Sequence, residues 1–259
     1  MRRRIRLRAR AGVALAAAAA CASAISGCGL LDRATTPADA REAALKSAPD
    51  TKSLPTPDCG IKKCVALTFD GGPSKPTPKL LDLLEAKKVH VTFFVQGKGH
   101  TDTYPRTLRR MAREGHEIGN HTWTHPILTD LDTKEKTTEL TRVQKDVQRI
   151  TGRTPTLMRP PQGRTDGEVS ALMKKLGLAQ VLWSVTAKDY ATTDTALITR
   201  RVLDRTRRDG IILLHERYRG TIPAVPEIID TLRRRGYTFV TVSQLLAPAV
   251  PQPGTVYRP

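Results

Sequence analysis

Asp70, His121, His125, Arg159, Asp189 and His215 are side chains able to do acid–base and metal chemistry, and each follows a stretch that reads as a β-strand. Asp70 closes the apolar run Cys64–Phe69 and is stopped at once by Gly71-Gly72-Pro73, the pattern of a buried strand ending in a turn. His121-Thr-Trp-Thr-His125 places two imidazoles four apart, a spacing that can turn both to one side of a compact loop or helical turn. Beside a carboxylate from another strand end, such a pair makes a divalent-cation site with open positions. Zinc there would lower the pKa of a bound water toward about 7 and polarise a carbonyl oxygen. Asp70 could take the proton of the attacking water, with Arg159 orienting the carboxylate and keeping it ionised. His215, on the facing side, could protonate the leaving nitrogen or oxygen while Asp189 fixes its tautomer. A backbone N–H in the Pro161-Gln162-Gly163 turn could meet the oxyanion. Together these roles describe metal-assisted hydrolysis of an acyl group.

Each residue also has a plainer role when taken alone. Asp70 suits a turn, Arg159 an ion pair, Asp189 a cap for a helix starting near Asp194, and His215 the end of a buried strand. Trp123 and Trp183 suit packing, and His90, His100 and His116 show no partner pattern. The shared position after strands favours chemistry, because parallel α/β barrels gather such residues at the C-terminal ends of their strands.

The elements that must deliver them alternate along the chain. Strands are expected at Cys64–Phe69, Val89–Val95, Ile118–His121, Thr156–Met158, Gln180–Val185, Ile211–Leu214 and Tyr237–Val242. Helices are expected over Pro76–Lys88, Tyr104–Glu114, the Leu140–Ile150 stretch, Asp166–Leu176, Thr195–Thr206 and Pro226–Arg235, with a closing turn at Ser243–Leu246. This alternation predicts an α/β fold, a parallel sheet curled into a distorted (β/α) barrel of about seven strand–helix units. The domain is expected over residues 58–247, between a flexible tether at 28–57, rich in Ala, Thr, Ser, Pro and charge, and a loose Pro-rich tail at 248–259.

The first 27 residues have the anatomy of an export signal. Residues 2–10 hold six Arg and no acid, Ala11–Ile25 are apolar and small, and Ile25-Ser26-Gly27-Cys28 follows. The last four residues resemble a bacterial lipobox, which would make Cys28 the lipidated first residue of a membrane-anchored extracytoplasmic protein; an ordinary secretory signal cut nearby is the alternative. The formal charge is +18; without the six signal arginines +12 remains, still basic enough to favour anionic wall polymers or lipid headgroups. No nucleic-acid-binding motif accompanies the charge, so nucleic acid is not an expected partner. Cys59 and Cys64 remain as an exported pair flanking a tight turn, and one disulfide is expected between them. A monomer is expected.

These segments resemble the polysaccharide deacetylase family (NodB homology domain, carbohydrate esterase family 4) over about Cys64–Leu246. Thr68–Pro73 is similar to the family's Thr-Phe-Asp-Asp-Gly-Pro, His121–His125 to its His-Ser/Thr-x-x-His, Arg159–Gly163 to Arg-Pro-Pro-Tyr-Gly, Asp189-Tyr190 to Asp-Trp, and Leu213–His215 to Leu-x-His. The resemblance implies a distorted barrel and metal-dependent removal of N-acetyl groups from N-acetylglucosamine units of peptidoglycan or chitin, or of O-acetyl groups from xylan. It implies that Asp70 is the base, Arg159 its partner, His215 the acid and Asp189 the residue tuning it. His121 and His125 would be ligands to zinc or cobalt, with Gln162 and Leu213 at the acetyl group. Three positions depart from the pattern: Gln162 for Tyr, Tyr190 for Trp and, above all, Gly71 for the family's metal-binding Asp. A lost carboxylate ligand should weaken a metal site by at least the 10 to 100-fold typical of a lost supporting residue. A glycan-binding lipoprotein with weak or lost turnover is therefore the alternative expectation.

Overall fold

The computed structural model describes residues 34–47 and 57–259; the signal segment and Cys28 lie outside the described residues. In chain order the elements are α1 (Pro37–Ser47), β1 (Lys63–Gly72), α2 (Thr77–Lys87), β2 (Thr92–Val95), α3 (Pro105–Arg113), β3 (Glu117–Asn120), α4 (Thr133–Thr151), β4 (Leu157–Met158), α5 (Gly167–Leu176), β5 (Ala179–Val181), β6 (Val185–Thr186), α6 (Thr195–Arg205), β7 (Gly210–Leu214), α7 (Thr221–Arg234), β8 (Tyr237–Val240), α8 (Val242–Leu246) and β9 (Val256–Tyr257). Among the described residues nine strands form one sheet in the order β6-β7-β1-β2-β3-β4-β5-β9, with β8 joined to β1, and their pairings are parallel.

The strand expected over Gln180–Val185 is two strands. β5 pairs with β4 and β9, whereas β6 pairs with β7 at the far end of the order. Only residues 182–184 join them, and a fully extended chain advances at most about 3.5 Å per residue. The two ends of the sheet therefore lie within roughly 14 Å of each other, and the sheet must curl into an incomplete barrel, as expected from the alternation of elements.

β1 is the central strand of this sheet, paired with β7, β2 and β8. After Lys63 every one of its residues is buried, as in a parallel strand covered on both faces. One edge pairs with β7 through Val65–Phe69. On the other, β8 takes Lys63–Ala66 and β2 takes Thr68–Gly72. The strand runs three residues beyond the expected Phe69 because β2 pairs with Asp70 and Gly72, skipping Gly71 in an irregularity where Gly71 has φ +76°. Such a bulge bends a strand and re-aims the neighbouring side chain.

Five other expectations change. The stretch assigned to a tether contains α1, whose Arg41 is buried and donates to Leu245 O and to Asp209 Oδ2 at 2.7 Å each; a weakly periodic segment of alanine and charge is here ordered by one inserted guanidinium. The tail is likewise part of the sheet, because β9 pairs with β5 and Tyr257 also bridges to Thr35. β2 begins at Thr92 and not Val89, and α7 begins at Thr221 and carries Pro226 inside it. Ser243–Leu246 is the body of α8, started by a capping box between Thr241 and Gln244. The Cys59–Cys64 disulfide is formed, both residues fully buried at the foot of β1.

Candidate active site

The strand register brings the sequence-selected residues into one row. Phe69 is paired with Leu214, Val95 with Asn120, and Asn120 with Met158. Asp70, His215, His121 and Arg159 are the next residues along their strands, at the C-terminal rim of the sheet. Asp189 comes from the turn that follows β6, the strand beside β7.

Arg159 is fully buried and anchors the row. Its Nε donates to Val181 O at 3.0 Å, and Nη1 donates both to Thr68 Oγ1 and to Asp70 Oδ1 at 2.7 Å. Its guanidinium carbon lies 4.2 Å from the centre of the Phe94 ring. Burial pulls the pKa of this guanidinium down and Asp70 pulls it back. Asp70 is itself 2% exposed, so one carboxylate oxygen is fixed by a cation that water barely reaches. The other, Oδ2, faces His121 Nε2 at 3.8 Å.

The two histidines are set by a strained loop. His121 Nδ1 lies 2.7 Å from Arg159 O, and since a carbonyl only accepts, Nδ1 carries the proton and Nε2 keeps its lone pair. Burial drives the His121 pKa to about 4 against the opposing pull of Asp70, so the ring is neutral near pH 7. Thr122 and His125 both have left-handed backbone, φ +67° and +66°, a conformation that costs of order 1–3 kcal/mol in residues other than glycine unless the surroundings impose it. Asn120 imposes it here: buried, it accepts from Thr122 N at 2.9 Å and donates to Leu140 O at 2.9 Å, while Thr122 Oγ1 accepts from His125 N at 3.1 Å. The imidazole centres come within 4.8 Å of each other.

On the opposite side Asp189 is buried and makes three contacts. Oδ1 lies 2.9 Å from His215 Nδ1, and Oδ2 accepts from His215 N at 2.7 Å and Thr221 Oγ1 at 2.8 Å. It does not cap α6, a role Asp194 performs. Burial lowers the His215 pKa, but the hydrogen bond and charge of Asp189, with Asp70 adding to them, outweigh it and leave the pKa raised. The exposed Tyr190 ring stands edge-on to His215 at 6.0 Å, and Tyr218 at 5.5 Å. Leu213 is buried in β7, and Gln162 is exposed with φ +57° in the turn after β4. Trp123 packs on Gly97 and under Arg142, and Trp183 packs on Gly163.

The metal expectation meets an incomplete donor set. Two imidazoles and a carboxylate already held by Arg159 face one another, and among the described residues no group of three His, Cys, Asp or Glu is placed to hold a metal ion. Gly71 offers no side chain, and a Cβ built on it would lie 3.6 Å from Arg217 Nη1. A cation thus stands beside the position from which a second carboxylate would come. As arranged, these residues do not fit a resident divalent ion.

Several residues of the site carried no sequence signal. Thr68, Asn120 and Thr221 hold Arg159, the His loop and Asp189 through single hydrogen bonds, and nothing in their spacing marks them. Glu216 and Arg217 follow His215 directly, where proximity to that residue was the available signal.

Comparison with known proteins agrees with this geometry. The family model for polysaccharide deacetylase matches residues 58–181. The chain is 42% identical to the peptidoglycan-N-acetylmuramic acid deacetylase PdaC of Bacillus subtilis over 71% of its own length but only 39% of that protein, so it spans about two fifths of that relative. It is 32% identical to a chitin deacetylase of Colletotrichum lindemuthianum, covering 75% of this chain and 84% of that one. Among solved structures, the T48 deacetylase with substrate aligns with a TM-score of 0.74 at 37% identity, covering 77% of this chain and 98% of the other.

Proposed function

Because the chain belongs to the polysaccharide deacetylase family, we propose that it hydrolyses the N-acetyl group of an N-acetylated polysaccharide, with peptidoglycan or chitin-like N-acetylglucosamine units as the substrate class. The observation that carries this reading is the convergence of two ion pairs at one rim of the sheet, Asp70 with Arg159 and His215 with Asp189, delivered by the neighbouring strands β1 and β7. In it Asp70 Oδ2, the oxygen not engaged by Arg159, accepts a proton from water as the water oxygen bonds to the acetyl carbonyl carbon. The tetrahedral oxyanion is met by the Gln162 backbone N–H. His215, protonated on Nε2 while Nδ1–H stays on Asp189, gives its proton to the amide nitrogen as the C–N bond breaks. Acetate and a free sugar amine leave. Deacetylases of this family generally depend on a metal ion; the donor set of this chain is incomplete for one, and each step above is carried by the chain's own residues.

The export signal and the peptidoglycan-directed names of relatives support action outside the cytoplasm, with Cys28 as the lipid anchor; labelling by a palmitate analogue should disappear in Cys28→Ser. The reading is tested by acetate release from chitin oligomers and from peptidoglycan. Turnover should be present in the wild type and absent in Asp70→Asn and His215→Ala. Release unchanged in either variant, or none from any N-acetylated glycan by a folded wild type, sinks it. In the latter case the second reading, a glycan-binding protein without turnover, is favoured by Gly71. An O-acetyl esterase would show itself by preferring acetylated xylan.

A further inference from the structure

The loop after β7 lays two side chains over the glycine pair that ends β1. The Glu216 carboxylate sits on Gly72, where a Cβ would collide with it, and the Arg217 guanidinium lies over Gly71. Among the described residues no carboxylate pairs with Arg217 within 4.0 Å; its contacts are Tyr218 Oη at 3.3 Å and the face of the Tyr218 ring. Tyr218 in turn stands against His215. The guanidinium therefore lies over the end of β1 and, through Tyr218, beside His215, at the rim that also carries the imidazole pair.

A carboxylate introduced at position 71 would start from a Cβ 3.6 Å from Arg217 Nη1 and 4.0 Å from Gln96 Oε1. It would reach the guanidinium before any metal and form the bidentate pair that arginine favours. The change at position 71 and the cation at 217 thus belong together: each removes one condition for holding a divalent ion.

We propose that Arg217 is the fixed cation of this cleft, that it stands in place of an exchangeable divalent ion, and that Gly71 and Arg217 form a coupled pair that must both change before the cleft becomes a metal site. The part of this that concerns turnover rests on the deacetylase reading, whereas the part that concerns metal does not.

The test is zinc binding to the full mature chain by calorimetry, for wild type, Gly71→Asp, Arg217→Gln and the double variant. Gly71→Asn controls for the positive φ of residue 71, and circular dichroism controls for folding. Wild type should bind zinc weakly, Gly71→Asp should gain less than about 10-fold, and the double variant should gain about 100-fold or more over wild type, the scale expected for restoring a ligand. Equal gains in Gly71→Asp and the double variant, or a wild type that keeps one equivalent of zinc through dialysis, would overturn the proposal. In the turnover arm, acetate release by wild type should survive a chelator, and Arg217→Gln should lose about 100-fold, as when one oxyanion donor is removed. Release abolished by the chelator and restored by zinc, or unaffected by Arg217→Gln, counts against it. If no protein of the series releases acetate, the deacetylase reading fails, and the zinc affinities still decide whether Arg217 bars the metal.

Discussion

The two sides of the site are held to the fold in different ways. On the acid–base side, Asp70, Arg159, Asp189 and His215 are held by short bonds to strands and to each other, and every carboxylate oxygen but one has a partner. On the cation side the imidazole pair is in place, yet the neighbouring strand end is a bare Gly71 and the charge beside it is a solvent-facing Arg217. Buried, doubly bonded charges tolerate almost no change, because losing one partner strands the other. A site at the mouth of the cleft can exchange one source of positive charge for another. The ion pairs of one side and the imidazole pair with Arg217 on the other are thus fixed to the fold with unequal stiffness.

The largest effect should come from breaking the stiff side. Arg159→Met keeps the bulk but removes the donor to Asp70, Thr68 and Val181, leaving Asp70 charged and almost fully enclosed. A cost of about 3–5 kcal/mol in urea unfolding is expected, together with loss of measurable acetate release. If unfolding changes by less than about 1 kcal/mol, the pair behaves as a surface ion pair and the contrast between the two sides disappears.

Asp189→Asn sharpens the contrast at lower cost. Without the carboxylate, His215 loses the interaction that lifts its pKa, so the pool of imidazolium at neutral pH shrinks. Catalysis by the acid should fall about 10²–10⁴-fold, and the alkaline limb of kcat/KM should move to lower pH. Stability should respond with the same sign. A histidine whose pKa is raised on folding contributes stability in full below its unfolded value, here 6.5, and loses it as pH climbs through the raised value. The variant should lack that decline. An unmoved alkaline limb would remove His215 from the role of acid.

What could be read in advance divides along the same line. The strand ends and their polar residues were legible because parallel strands are short apolar runs, and Asp70, Arg159 and His215 each interrupt one. Val89–Val91 looked like strand for the same reason, though only Thr92–Val95 finds a partner in β3. α1 and β9 were not legible: the first is mostly alanine and charge, and the second is two residues inside a Pro-rich tail. Each is ordered by a distant contact, Arg41 to Asp209 and Val256–Tyr257 to β5. The disulfide at the foot of β1 and, within the site, the histidine pair announce themselves by residue type and spacing. Asn120, which holds the strained loop, is one polar residue among many, and Arg217 was hidden because its role depends on what is missing opposite it.

The smallest predicted effect lies where the two sides meet. Glu216 is fully enclosed, its Oε1 accepts from Thr77 Oγ1 at 3.0 Å, and its Oε2 has no partner. Burial pushes its pKa up to about 7 from 4.5. The folded chain therefore holds this proton more tightly than the unfolded one, and stability must fall as pH rises from 4.5 toward 7 and stay lower above it. A shift of that size corresponds to roughly 3 kcal/mol. Glu216→Gln removes the titration while keeping an oxygen for Thr77, but it places an amide NH2 where no acceptor waits, a cost of about 1–3 kcal/mol. The variant should therefore be less stable than wild type at pH 4.5, recover to parity or better by pH 8, and show a flatter profile between them in urea unfolding. A profile parallel to the wild type would mean that Glu216 carries its charge throughout. The loop above the glycine pair would then hold a permanent negative charge next to Arg217, and the cation side of the cleft would be less positive than the uncompensated guanidinium implies.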